Sequence, residues 1–250
     1  MQTISQQDSH LILELPKQEY LATHSLQLDI LQAKRKGILT SDIFLLVEHF
    51  PVFTLGKSGE AKNILVSEHI LEKNNISLVQ IERGGDITYH GPGQLVLYPI
   101  LDLRRARLKV PEFVWLLEEI MLKTAEEMGV SAQRDFCKRG VWAGEKKLGS
   151  VGIAIRRGIS FHGLAFNVNT WLEPFSWINP CGLENIQVTS LEKEISAPIQ
   201  LPEAKSELKE NIQRVMNFQV STVDLNTLSE YMDLHGSELK AKSKKEVGAN

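Results

Sequence analysis

Cysteine is scarce in this chain, with only Cys137 and Cys181 among 250 residues. That is too few for a disulfide scaffold, and a reduced, cytoplasmic protein is expected. No apolar run approaches the ~20 residues that a membrane helix needs, so no membrane association is expected. The opening MQTISQQDSH is polar where a secretion signal would be apolar. An excess of one charge is also missing: a net charge of −3 gives no electrostatic footprint for nucleic acid. No repeat and no Pro/Gly/Ser-rich linker divides the sequence. What remains is ordinary for a globular protein, 42% hydrophobic and 24% charged, in a length able to bury a sizeable core. The expected organisation is a flexible N-terminus over 1–10 and one domain over 11–218. A weakly structured to disordered tail over 219–250 follows, lysine-rich from Gly236.

Apolar periodicity predicts an α/β fold. Leu11–Leu15, Ile43–Glu48 and Val52–Leu55 read as strands, the last two on either side of Pro51. Lys17–Lys36 has helical spacing and stops at Gly37. Pro111–Met128 is the clearest helix, with Pro at its start, Phe113, Leu116, Leu117, Ile120 and Met121 on one side, and Gly129 after it. Short strands at 140–143, 147–155 and 159–169 follow, joined by hairpin turns at 144–146 and 156–158. A last helix is expected over Pro202–Met216.

Residues 83–94, RGGDITYHGPGQ, stand between the strand-like runs Ile76–Glu82 and Leu95–Ile100, so they read as a loop held by a rigid frame. Gly84, Gly85, Gly91 and Gly93 let the backbone come close to a ligand. A plain turn has no need of Arg83, Thr88, His90 and Gln94 together. His49 reads as a core histidine that fixes a loop, whereas His90 reads equally well as a core or a site residue. Gly56-Lys57-Ser58 mimics the end of a phosphate-binding loop, but Pro51 stands where that motif needs glycine.

Nucleophilic chemistry narrows to Cys181, in the sequence WINPCGLE. Asn179-Pro180 sets a turn before it and Gly182 leaves its thiol side unobstructed. Cys137, flanked by charges, reads as a structural cysteine. A thiol with a pKa near 8.5 is only about 3% thiolate at pH 7, so Cys181 needs a helper. Lys147 and His162 are the candidates. Lys146 reads as a solvated turn residue. The strand that Lys147 opens continues with Gly149, Ser150 and Gly152, and small residues in a strand mark a place where a ligand approaches. Histidines 49, 90 and 162 and Cys181 show no ligand spacing, so no metal is expected.

The set EHxPVFTLG (48–56), RGGDITYHGPGQLVLYP (83–99), KLGSVG (147–152), FHGLAFNVN (161–169) and INPCGL (178–183) resembles the lipoyl(octanoyl) transferases, the LipB family. The likeness runs in order from about residue 11 to about 217. It implies a mixed β-sheet flanked by helices, similar to the catalytic domains of biotin and lipoate protein ligases. It further implies transfer of an octanoyl group from acyl carrier protein to a lysine of a lipoyl domain. The acceptors it implies are lipoyl domains of 2-oxoacid dehydrogenases and the glycine cleavage H protein, with no cofactor. By motif, Cys181 matches the acyl-thioester nucleophile and Lys147 the residue that lowers its pKa. Arg83, Gly84, Gly85, Asp86, Ile87, Thr88, Tyr89 and His90 match substrate-binding positions. So do Ser150, Val151 and Gly152, and Gly163, Leu164 and Ala165. Main-chain N–H groups near Gly163-Leu164 or Gly182 would hold the oxyanion.

Two other readings stay open on the residues. An ATP-dependent lipoate ligase also carries an Arg-Gly-Gly loop leading to a histidine. Such ligases usually show a third glycine and a His-Asp pair, where Asp86 and Gly91 stand here. A non-catalytic binder of acyl chains or lipoyl domains would keep the fold and the cavity but form no covalent intermediate.

Overall fold

The computed structural model describes residues 10–135, 138–179 and 186–247, with 238–247 as backbone only. In chain order the elements are β1 (His10–Glu14), α1 (Tyr20–Arg35), β2 (Asp42–Val47), β3 (Val52–Leu55), α2 (Glu68–Lys73), β4 (Ser77–Gln80), β5 (Ile87–His90) and β6 (Gln94–Ile100). After these come α3 (Val110–Glu127), β7 (Gln133–Arg134), β8 (Val141–Ala143), β9 (Lys146–Arg156), β10 (Ile159–Asn167), α4 (Leu191–Ile195), α5 (Leu201–Met216), β11 (Ser221–Thr222) and α6 (Leu225–Val247).

Eight strands form one mixed sheet in the order β11-β1-β2-β6-β10-β9-β8-β7, and β4-β3-β5 form a second. β1 and β2 run parallel, joined by α1 as the crossover that a parallel pair requires. β6, β10 and β9 are antiparallel to their neighbours. The central strands are apolar on both faces, which is why β2 and β6 read as unbroken hydrophobic runs. Phe44, Leu46, Leu95 and Leu97 face Phe113, Leu117 and Met121 of α3 and Leu208 of α5. Ile43, Leu45, Val96 and Tyr98 face Ile30 and Leu31 of α1. Burying each such side chain contributes roughly 1.5–3 kcal/mol, and truncating Leu117 to alanine would cost about 2–5 kcal/mol.

Helix ends follow local chemistry. α3 starts with Pro111 in its first turn, and the Glu112 carboxylate accepts from the Lys109 N–H at 2.8 Å. α1 stops at Gly37, whose φ of 71° is the left-handed geometry that glycine adopts without strain. Among the described residues no helix is long and apolar enough to cross a membrane.

Two expectations are corrected. Residues 83–94 are not loop throughout: Ile87–His90 form β5, which pairs antiparallel with β3. The chain beyond 218 is not a loose tail, because β11 pairs with β1 and Val223 and Leu228 are buried in the α1-side core. α6 then continues to Val247, past the glycine where disorder was expected to begin. Two apolar anchors in a polar segment were enough to join it to the sheet edge.

Candidate active site

A cavity of about 440 Å3 opens between the 83–90 segment and the β9–β10 hairpin, within the range of clefts that hold small ligands. Its walls hold Arg83 through Thr88, His90, Lys147, Ser150, Val151, Gly152, Gly163, Leu164 and Ala165. One expected residue is absent from that wall. Tyr89 alternates to the opposite face of β5, where its ring meets Phe53 and Phe175 edge-on. Burial there pushes its hydroxyl up to about 12. The period of two that puts Thr88 and His90 on the cavity turns Tyr89 away from it.

Glycine makes the close approaches possible. The Gly84 N–H donates to the Ile153 carbonyl at 2.9 Å, and a Cβ on Gly152 would lie 3.2 Å from the Gly84 oxygen. The 83–86 turn therefore rests main chain to main chain on β9. A Cβ on Gly163 would fall 2.0 Å from the Leu97 oxygen, so only glycine fits where β10 meets β6. Arg83 is buried. Its guanidinium donates to the Thr54 carbonyl at 2.6 Å and to the Thr54 hydroxyl at 2.9 Å, which ties the turn to β3.

The cavity has an apolar wall and a polar floor. Val96, Val151, Leu164, Ala165, Ile178 and Val188 supply the first; Tyr20, Tyr98, His90 and His162 belong to the second. On the floor, His49 Nδ1 donates to the Gln18 carbonyl at 3.2 Å. A carbonyl can only accept, and burial pulls His49 down to about 4, so the ring is neutral and its Nε2 is an acceptor. The Tyr98 hydroxyl donates to that nitrogen at 2.8 Å. The Tyr20 hydroxyl stands 3.3 Å from His162 Nδ1. Burial, then the charges of His24 and Arg83, hold His162 at about 3, and burial also pulls His90 well below its ordinary value. His49 is thus the core histidine that the sequence suggested, and His90 is both buried and part of the cavity wall.

At the other end stands Lys147. Its ammonium lies over the Trp142 ring, 5.3 Å from the centroid, a cation–π contact. A Cβ on Gly140 would come within 3.0 Å of the Lys147 Cε, so Gly140 leaves room for the lysine stem. The Lys147 N–H donates to the Gln187 carbonyl at 2.8 Å, and the Thr189 N–H donates to the Lys147 carbonyl at 2.9 Å. Lys146, expected to be a solvated turn residue, is the first residue of β9; its side chain is partly exposed and pairs with Glu194 at 3.1 Å.

Cys181, Gly182 and Cys137 lie outside the described residues. The residues flanking the 180–185 segment are fixed: Asn179 donates to the Asn63 carbonyl at 2.8 Å, and the Asn63 amide donates to Asp86 at 2.6 Å. On the far side, Gln187 is held by Lys147. Ile178 and Ile186, one on each side of the segment, both line the cavity. Tyr20, Tyr98, Trp142 and Asn167 are wall residues that sequence reading did not pick out; all lie in apolar or helical runs that look like plain core.

Residues 19–213 match the family model of the lipoyl protein ligase A/B catalytic domain. An octanoyltransferase of Desulfotalea psychrophila is 49% identical over 199 residues, covering 79% of this chain and 89% of that protein. One from Xanthomonas euvesicatoria pv. vesicatoria is 44% identical over 179 residues, covering 72% and 74%. Among solved structures, an archaeal bi-partite lipoate protein ligase from Thermoplasma acidophilum superposes with a TM-score of 0.68 at 18% identity, covering 91% of this chain and 92% of that one. A lipoate-protein ligase A bound with ATP gives 0.66 at 18%, covering 91% and 93%. At such identity these two speak for the fold alone, a mixed sheet flanked by helices. The chain belongs to the lipoyl protein ligase A/B catalytic domain family, and within it to the acyl-transferring enzymes of protein lipoylation, the octanoyltransferases.

Proposed function

We propose that the chain moves an octanoyl group from acyl carrier protein to a lysine of a lipoyl domain through a thioester on Cys181. The acceptors would be lipoyl domains of 2-oxoacid dehydrogenases and the glycine cleavage H protein, in the cytoplasm, with no ATP. One observation carries this reading. A single cavity gathers Lys147, the 83–90 segment and the small residues of β9 and β10, and both flanks of the Cys181 segment line it.

In the first step the Cys181 thiolate attacks the carbonyl carbon of the octanoyl thioester. The carrier leaves as a thiolate and takes the proton of the Lys147 ammonium, and one thioester replaces another at nearly equal energy. The apolar wall recognises the chain: burying about six methylenes at ~0.8 kcal/mol each contributes on the order of 5 kcal/mol. Lys138 and Arg139, also on the wall, suit the phosphate of the carrier's arm. In the second step a lysine amine attacks the enzyme thioester, forms the amide and returns Cys181 as thiolate. The amine must first lose a proton, because its pKa near 10.4 leaves it charged at pH 7. With Cys181 acylated, Lys147 has lost its counter-charge and becomes the base for that proton.

Intact mass spectrometry after incubation with octanoyl-acyl carrier protein tests the reading. An octanoyl adduct that maps to Cys181 and discharges onto a lipoyl domain without ATP is expected. Product that forms only from free octanoate and ATP would make the chain a ligase, and binding without any adduct would make it a passive binder.

A further inference from the structure

Behind the cavity floor, three side chains converge without being used by the transfer chemistry. His24 of α1, Glu82 two residues beyond β4 and His162 of β10 bring their ligand atoms within 4.8 Å of one another. His24 Nε2 lies 3.1 Å from Glu82 Oε2, and His162 Nε2 lies 3.8 Å from the same oxygen. The edge between ligands in a tetrahedral zinc site with ~2.1 Å bonds is about 3.4 Å.

The cavity floor packs polar groups on both sides of His162. The Gln18 carbonyl fixes His49 as a donor on Nδ1, so Tyr98 gives its proton to His49 Nε2. The Tyr20 hydroxyl stands 3.3 Å from His162 Nδ1. On the other side of the ring, His162 Nε2 faces the Glu82 carboxylate. The residue is 1% exposed and this nitrogen has no hydrogen-bond partner. A buried nitrogen left without a partner is costly, and a cation shared with the carboxylate removes the cost.

We propose that His24, Glu82 and His162 bind one divalent transition-metal ion of the zinc class. Two imidazole nitrogens and one carboxylate oxygen are a set that such ions favour. The outer contacts are in place: the Tyr20 hydroxyl stands 3.3 Å from His162 Nδ1, and Arg156 bonds the second Glu82 oxygen at 3.2 Å. His24 and Glu82 keep 15% and 27% of their side-chain surface exposed, which leaves an entry path and a place for a water ligand. The ion ties α1 to β10 and to the segment that leads into Arg83, so its effect is on the rigidity of the floor.

Cobalt and zinc titrations of chelator-treated, full-length protein test this. One equivalent of Co2+ should bind with visible absorption but no near-ultraviolet thiolate band, and zinc should displace it. His24→Ala and Glu82→Gln should each weaken binding by more than about tenfold, while circular dichroism reports an unchanged fold. Zinc should raise the Tm of the parent protein and not that of either variant. Failure to bind, a thiolate band, or equal affinity in parent and variants would each overturn the proposal. None of these outcomes bears on whether Cys181 carries the acyl group.

Discussion

Gln94 and Asn167 are register partners on β6 and β10, and the Gln94 amide donates to the Asn167 side-chain oxygen at 2.9 Å. Each end of the pair leads on. Gln94 accepts from His90 Nδ1 at 2.7 Å, and the Asn167 amide donates to the Thr189 carbonyl at 3.0 Å. Because the Thr189 N–H bonds the Lys147 carbonyl, two facing amides connect the glycine-rich segment to the lysine strand.

Asn167→Ala breaks that connection: the Thr189 carbonyl loses the Asn167 amide, and the Gln94 side chain keeps only Tyr89 and His90 as partners. A loss of about 2 kcal/mol in urea unfolding is expected, together with slower formation of the acyl-enzyme. If stability falls and the acylation rate holds, the amide pair is structural only.

Cys181→Ser should abolish transfer, while Cys137→Ser should retain most of it. The comparison uses octanoyl transfer to a lipoyl domain at saturating donor. Equal losses from the two substitutions would remove the nucleophile from position 181.

Removing the ammonium in Lys147→Met should move the alkylation of Cys181 by iodoacetamide to higher pH, because a nearby positive charge favours the thiolate. Lys147→Arg keeps the charge but cannot give up a proton in this range, so it should acylate and then pass its octanoyl group on poorly. An unchanged alkylation profile in Lys147→Met would take the residue out of the mechanism.

The floor histidines make stability depend on pH. His49 and His162 are held at about 4 and about 3 in the fold, below the ~6.5 of an unfolded chain. Their contribution is fully present above about pH 6.5. It is lost as pH falls toward 4, because the unfolded chain binds protons that the fold refuses. Urea unfolding at a series of pH values should show a decline of a few kcal/mol over that span. His49→Gln keeps a side chain that can donate and accept but cannot titrate, so its decline should be shallower. Parallel slopes in the two proteins would show that His49 does not carry the effect.

The sequence made the local features plain and hid those assembled over distance. α3 was readable because its apolar spacing, Pro111 and Gly129 all lie within one window. The cavity wall was readable at Gly152 and Gly163, which face one another as register partners, since small residues in strands stand out by themselves. β5 was hidden because its four residues sit between glycine pairs that look like one long turn. The floor network could not be read at all. Tyr20 and His162 are 142 residues apart; Tyr20 looks like core and His162 reads as a helper for Cys181 until the sheet brings them together.

The short pairing of Ser221 and Thr222 with Leu11 and Ile12 has a consequence for anyone who trims this protein. Without β11, β1 would present its row of amide and carbonyl groups to solvent as an open edge, a template for the strand of another molecule. A fragment stopped at 218 would keep every cavity residue and still tend to associate edge to edge. The last stretch of chain therefore acts as a solubility guard for the sheet.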